Sequence, residues 1–182
     1  MSDQLQWVES AGGPLLLLPQ DLLGFWEGVN TPPNFRNVSA EFRWNEGGAA
    51  TDYDRACDVK DCVGLIDVGP GQGLVLGDEP LATTWISSPN GSGGILVRCR
   101  FSQGDEEIQE VLNSQLNAQS WEEGPVVTFD GSPLVLFDAA APGTSIESRL
   151  VAPLAKGTYR VGTLDYTPHA EVSLLLHRLT LL

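Results

Sequence analysis

Glycine and proline break this chain before any element can become long. Twenty glycines and twelve prolines are spread through its 182 residues, and they bracket most of its apolar runs. Glycine weakens helix interiors and proline breaks them, so a chain punctuated this often is steered toward short strands joined by turns. The intervening patterns agree. Gln4–Glu9 and Pro14–Leu18 read as strands around Ala11-Gly12-Gly13. Val63–Val68 and Gly73–Leu76 flank Gly69-Pro70-Gly71-Gln72, a hairpin connection. Leu81–Ser87 is another strand, followed by a turn over Ser88–Gly94. Ile95–Phe101 alternates cleanly, with Ile95, Val97, Cys99 and Phe101 on one side and Arg98 and Arg100 on the other. That is the pattern of a half-buried antiparallel strand. Further strands are expected at Pro125–Phe129, Pro133–Phe137, Glu147–Val151, Gly157–Tyr166 and Glu171–Leu181. The last is apolar on both faces, which places it inside a sheet.

Helical signals are fewer. Pro19–Trp26 predicts a short helix. Thr51-Asp52-Tyr53-Asp54 has the form of a capping box opening a helical turn that runs to Cys57. The principal helix is Asp105–Ala118. Asp105, Glu106 and Glu107 occupy its first turn, where the macrodipole favours anions, and Ile108, Val111, Leu112 and Leu116 share one face. Val29–Ala50 is polar, with Pro32-Pro33 and Gly47-Gly48, and reads as a long irregular loop. The fold expected is α+β, a mainly antiparallel β-sheet with one principal helix, in a single domain over 1–182.

Two short segments echo each other. Leu65-Ile66-Asp67-Val68 and Leu74-Val75-Leu76 reappear as Thr163-Leu164-Asp165-Tyr166 and Val172-Ser173-Leu174. Gly13-Pro14-Leu15-Leu16-Leu17 reappears as Ser132-Pro133-Leu134-Val135-Leu136. Two readings stand: duplication of a β-hairpin unit, with halves of about 1–101 and 125–182, or chance likeness between short apolar hairpins.

Charge narrows the partners. Aspartate and glutamate total 24 against 10 lysines and arginines, a net charge of -14. Nucleic-acid binding needs a basic patch, and anionic lipid repels such a surface. An acidic surface instead attracts a basic protein and speeds its encounter. The N-terminal Met1–Trp7 lacks the basic and apolar regions of a secretory signal, and no apolar run approaches a membrane span. Three cysteines, Cys57, Cys62 and Cys99, form no framework and read as reduced thiols of a cytoplasmic protein. With only His169 and His177 besides, neither a metal nor a cofactor is expected.

No catalytic motif emerges. Gly69–Gly73 lacks the P-loop lysine and serine, and no Gly-x-Ser-x-Gly elbow occurs. Asp52, Asp54, Asp58 and Asp61 form a dense acidic stretch, but Arg55 and Lys60 lie inside it and the spacing is not that of a calcium loop. It reads as a solvated, self-paired surface. Of five tryptophans, Trp44 stands out because it lies in the polar loop between Arg43 and Asn45. Two readings stand: exposed there, it would make an anchor for a protein partner, or it pins the loop onto the core.

Several blocks together resemble a known family. Trp7-Val8-Glu9-Ser10-Ala11-Gly12-Gly13-Pro14-Leu15, then Asp52-Tyr53-Asp54-Arg55-Ala56-Cys57, then Leu76-Gly77-Asp78-Glu79-Pro80 with Thr83-Thr84-Trp85, and finally Leu174-Leu175-Leu176-His177-Arg178-Leu179 resemble, in order, the immunity protein 21 family of bacterial polymorphic toxin systems. Cys62 and the loop after Gly28 depart locally from the family pattern. The resemblance implies a non-enzymatic inhibitor that binds and neutralises a cognate toxin domain in the producing cell. Joined to the charge, it points to a basic toxin. The candidate contact residues are Trp44 as anchor, with Asp52, Asp58 and Asp61 as steering charges. Glu106, Glu107 and Glu110 form a second patch on the helix. Asp54 and Arg55 either pair internally or meet the toxin. A monomer and a homodimer are equally consistent. The competing readings are a small-ligand or carbohydrate-binding module with tryptophan stacking platforms, and a small hydrolase using His169 or His177.

Overall fold

Strand pairing organises the chain. The computed structural model describes residues 4–33, 36–77, 79–89 and 91–182. In chain order the strands are β1 (Leu15–Pro19), β2 (Gly64–Val68), β3 (Gly71–Leu76), β4 (Ala82–Ser87), β5 (Gly93–Phe101), β6 (Glu122–Phe129), β7 (Leu134–Asp138), β8 (Arg149–Ala152), β9 (Gly157–His169) and β10 (Val172–Leu181). Two helices, α1 (Asp52–Cys57) and α2 (Asp105–Gln115), and 3-10 turns at Gln20–Phe25 and Leu116–Ala118 complete the elements. The strands form two five-stranded sheets, ordered β2-β3-β1-β7-β8 and β4-β5-β10-β9-β6. Every pairing within them is antiparallel. The fold is therefore α+β and mainly antiparallel β, as the turn-rich sequence predicts.

Period-two alternation sorts the buried residues into three layers. Leu15 and Leu17 of β1 join Leu74, Leu76, Leu134 and Leu136, and meet Leu96, Phe129, Tyr159, Val161 and Leu179 of the other sheet in one core. The intervening Leu16 and Leu18 point outward, where Leu22, Leu23, Trp26, Tyr53 and Ala56 cover them. This explains why four consecutive leucines are all buried: each face of β1 has its own cover. On the far side, Val97, Leu174 and Leu176 of the second sheet lie under Ile108 and Val111 of α2. α1 and α2 thus cover opposite outer faces of a two-sheet sandwich. β10 lies between β5 and β9, the interior place its unbroken apolar run predicts.

Local chemistry agrees at the turns. Val68 pairs with Gly71, leaving a two-residue connection in which Gly69 has φ +55°. A primed hairpin turn needs a positive φ at that position, which glycine supplies without strain. The capping box at Thr51 is formed in both directions with Asp54.

Two expectations are corrected. Gln4–Glu9 is not a strand: only Val8 forms a bridge, to Thr83. The segment is held instead by the Asp105 carboxylate, which accepts from the Leu5 backbone N–H and from Trp7 Nε1, both at 2.9 Å. Nor is the arginine face of β5 simply the solvent side: Arg100 is half-buried, and Arg98 is enclosed. Arg98 is 1% exposed and donates to the carbonyls of Cys62 (3.1 Å), Gly77 (2.9 Å) and Glu79. Both faces of this sheet are covered, so alternation in β5 separates its helix-facing side from its sheet-facing side. The two similar hairpins lie in different sheets. β1 pairs with β3, whereas its counterpart β7 pairs with β1 and β8 rather than with β10. Strand order thus gives the duplication no support.

Candidate functional site

The stretch between Glu27 and Ala50 has no strand or helix among its described residues. A polar segment of this length cannot hold itself by apolar burial, so its backbone groups need other partners. Three carboxylates of α1 and its end supply them. Asp52 accepts from the Glu27 N–H at 3.0 Å, from Arg36 Nη2 at 2.9 Å and from Arg55 Nη1 at 2.9 Å. Asp54 accepts from the Trp44 N–H at 2.7 Å as well as from Thr51. Asp58 accepts from the N–H groups of Glu41 and Phe42, at 2.6 and 2.7 Å. The loop is stapled at each end and in its middle.

This changes the meaning of the acidic stretch. Asp52 and Asp54 are 0% and 1% exposed, so the reading of a solvated surface is wrong for them. Desolvation of these carboxylates is offset by guanidinium and N–H donors. Neither is available to a partner. Arg55 is internal too, divided between Asp52 and the Asp67 carbonyl. Asp58 is half-buried and engaged. Asp61 is exposed. On α2, Glu106 and Glu110 are exposed, while Glu107 is half-buried and accepts from the Gln103 N–H at 2.8 Å. Since α1 and α2 lie on opposite sides of the sandwich, the two acidic groups do not form one surface.

Trp44 lies at the surface. The side chain is 67% exposed, and its ring stands edge-on to Tyr53 at 5.9 Å between centroids. Beside it opens a cleft of about 480 Å³. One wall is Gly12-Gly13-Pro14 leading into β1. A second is Tyr53, Ala56 and Cys57 of α1. A third is Gly77 and Glu79 after β3, and Phe42, Trp44, Val59 and Lys60 form the rim. Gly13 is required by close approach: a Cβ there would lie 2.9 Å from Tyr53 ring atoms and nearer still to the hydroxyl. Asp78, in the same block as Gly77 and Glu79, lies outside the described residues, as does Asn90 of the turn before β5. Reasoning from sequence missed Phe42, Tyr53, Lys60 and Glu79 as site residues. The signal lay in the blocks Trp7–Leu15, Asp52–Cys57 and Leu76–Pro80, distant in sequence, which converge on this one cleft.

The cleft is poor in proton-transfer groups. Burial raises the Cys57 pKa, opposed in part by a hydrogen bond from Tyr53, and burial also raises that of Tyr53. Both stay protonated at neutral pH, so Cys57 is no thiolate nucleophile. Glu79 is held by Arg100, whose Nη2 lies 2.7 Å away, and this hydrogen bonding depresses the Glu79 pKa. The histidines lie elsewhere. His177 is fully buried, and burial, with Arg98 nearby, lowers its pKa to about 3. Arginine only donates, so Nε2 accepts from Arg98 and Nδ1–H donates to Thr163 Oγ1. His169 is exposed beside Glu107 and Glu171, their ligand atoms within 4.8 Å of one another. These are the described residues best placed to hold a metal, although Glu107 is already engaged by Gln103. The stacking-platform reading also thins. Trp26 and Trp85 are buried, and Trp7 and Trp121 half-buried. Cys57, Cys62 and Cys99 are free thiols, and no helix among the described residues is long and apolar enough to cross a membrane.

No curated protein and no solved structure matches the chain. A family model does, that of Immunity protein 21, over residues 6–172. That span contains the loop, its staples and every wall of the cleft, and it ends at the first residue of β10. The chain belongs to the immunity protein 21 family.

Proposed function

We propose that this protein is the antidote to a toxin made by its own cell, and that it neutralises the cognate toxin domain in the cytoplasm by stoichiometric contact without chemistry of its own. Family membership supports the class. The observation that carries the contact surface is Trp44: a large aromatic, 67% exposed, whose backbone N–H is pinned to a buried carboxylate and whose ring rests edge-on against Tyr53. An exposed aromatic held in place loses little entropy on binding, which is what a hot spot requires. The net charge of -14 favours a basic toxin and acts mainly on association rate. Among the sequence candidates, Trp44 is the anchor and Asp61 a rim charge. Asp52, Asp54 and Asp58 serve by holding the loop that carries Trp44.

Binding to the purified toxin domain encoded beside this gene tests the reading. Trp44→Ala should speed dissociation, costing more than about 2 kcal/mol, or roughly thirtyfold in affinity. Its melting curve should barely move, because the side chain is exposed. A toxin that stays fully active with saturating protein overturns the function. Unchanged dissociation for Trp44→Ala overturns the surface and leaves the function standing.

A further inference from the structure

On the opposite outer face, α2 does not cover its sheet completely. Beyond Leu112 and Leu116 a cleft of about 570 Å³ opens over the ends of β4, β5 and β10. Its floor is apolar, with Ile86, Ile95, Leu112 and Leu116. Ser87, Ser88 and Asn113 are among its polar lining. Arg178 stands in it with the guanidinium carbon 4.3 Å from the centre of the Trp121 ring.

The cleft around this arginine differs from the others in its charge. Four other arginines are engaged by acids: Arg36 and Arg55 by Asp52, Arg100 by Glu79 and Asp165, Arg160 by Glu123. Clefts elsewhere carry acids, Glu122 and Glu123 in one, Asp105 and Glu106 in another. Among the described residues no aspartate or glutamate lines this one. In a chain with 24 acidic residues and 10 basic ones, the local balance is inverted. Arg178 makes no ion pair and no side-chain hydrogen bond with the described residues. Its Nε is buried without an acceptor, and the side chain lines the cleft. The guanidinium thus lies over the indole, half-buried, on the wall of the cleft.

We propose that this cleft binds a carboxylate carried on an apolar body, with Arg178 as the anion-binding residue and Trp121 as its support. A planar guanidinium takes a carboxylate through two parallel hydrogen bonds, and partial desolvation strengthens them. The apolar floor takes the attached hydrocarbon, and the volume is that of a small-ligand site. A single guanidinium on so acidic a protein favours a monoanion over a phosphate dianion. Because α2 and Trp44 lie on opposite sides of the sandwich, the site is independent of the toxin surface.

The test uses the whole protein and the indole N–H resonance of Trp121, identified by its loss in Trp121→Phe. Titration with 3-phenylpropionate should shift that resonance saturably, and the uncharged 3-phenylpropanamide should bind about tenfold more weakly or worse. Arg178→Gln should abolish binding, and Arg178→Lys, which keeps the charge but loses the fork, should weaken it. A peptide ending in a phenylalanine carboxylate forms a further arm: tighter binding than the free acid assigns the ligand to a protein terminus, and weaker binding assigns it to a free small acid. No saturable shift, equal affinity for acid and amide, or an undiminished shift in Arg178→Gln overturns the proposal. The acid–amide comparison on the unaltered protein stands even where a variant fails to fold.

Discussion

Replacing Asp52 with asparagine should loosen the loop that presents Trp44. The substitution keeps the shape but turns one carboxylate oxygen into an amide that faces donors. Asp52 is 0% exposed and receives Arg36, Arg55 and the Glu27 N–H. Removing one partner of a buried pair costs about 3–5 kcal/mol, and a hydrogen bond to a charged group contributes about 1.5–3 kcal/mol. The two arginine side chains keep 21% and 22% exposure, so water recovers part of their solvation. The expected loss is therefore about 2–4 kcal/mol. In a chain of this size that lowers the melting temperature by roughly 5–15 °C. Urea denaturation measures the loss, and trypsin cleavage after Arg36 and Arg43 reports the loop. Asp61→Asn, at an exposed position, should stay within about 0.5 kcal/mol and serves as the control. If Asp52→Asn matches that control in both stability and cleavage rate, the carboxylate does not clamp the loop.

Stability should also fall in acid. The folded-state pKa of His177 is lowered to about 3, from an ordinary value of 6.5. Its contribution is therefore fully present above pH 6.5 and is lost as pH falls toward 3, at up to about 1.4 kcal/mol per pH unit. Glu79, depressed by its hydrogen bonds to Arg100, adds a loss of the same sign below its ordinary range. A flat urea midpoint across that window contradicts both. Gly13→Ala should cost about 1–3 kcal/mol by overpacking against Tyr53, and adding Tyr53→Phe should recover part of it; strict additivity in the double variant argues against the contact. Arg98→Met takes one of two donors from each of the Cys62, Gly77 and Glu79 carbonyls and the donor from buried His177 Nε2, and should cost about 1–3 kcal/mol, read by calorimetry as a lower melting temperature.

The strands were legible because their signals are local. Turn chemistry at Gly69-Pro70, the apolar run of β10 and the helical spacing of α2 each depend on neighbours within a few residues, and each is found where the pattern puts it. The capping box at Thr51 is equally local and equally present. Gln4–Glu9 misled because its alternation resembles a strand, while the Asp105 carboxylate that claims Leu5 and Trp7 lies some hundred positions along the chain.

By itself the sequence determined the class of fold, the excess of negative charge, the exposed candidate Trp44 and the family likeness. Only the tertiary structure decided which charges are available. An aspartate reads the same in sequence whether it faces water or a buried guanidinium. The difference is made by partners that chain connectivity brings from elsewhere, as Arg36 reaches Asp52 across the loop. Likewise Arg98 looked like the wet side of a strand until a second sheet covered it. Burial depends on what is stacked above a residue, and stacking is settled by the order in which strands join the two sheets, which no local pattern contains.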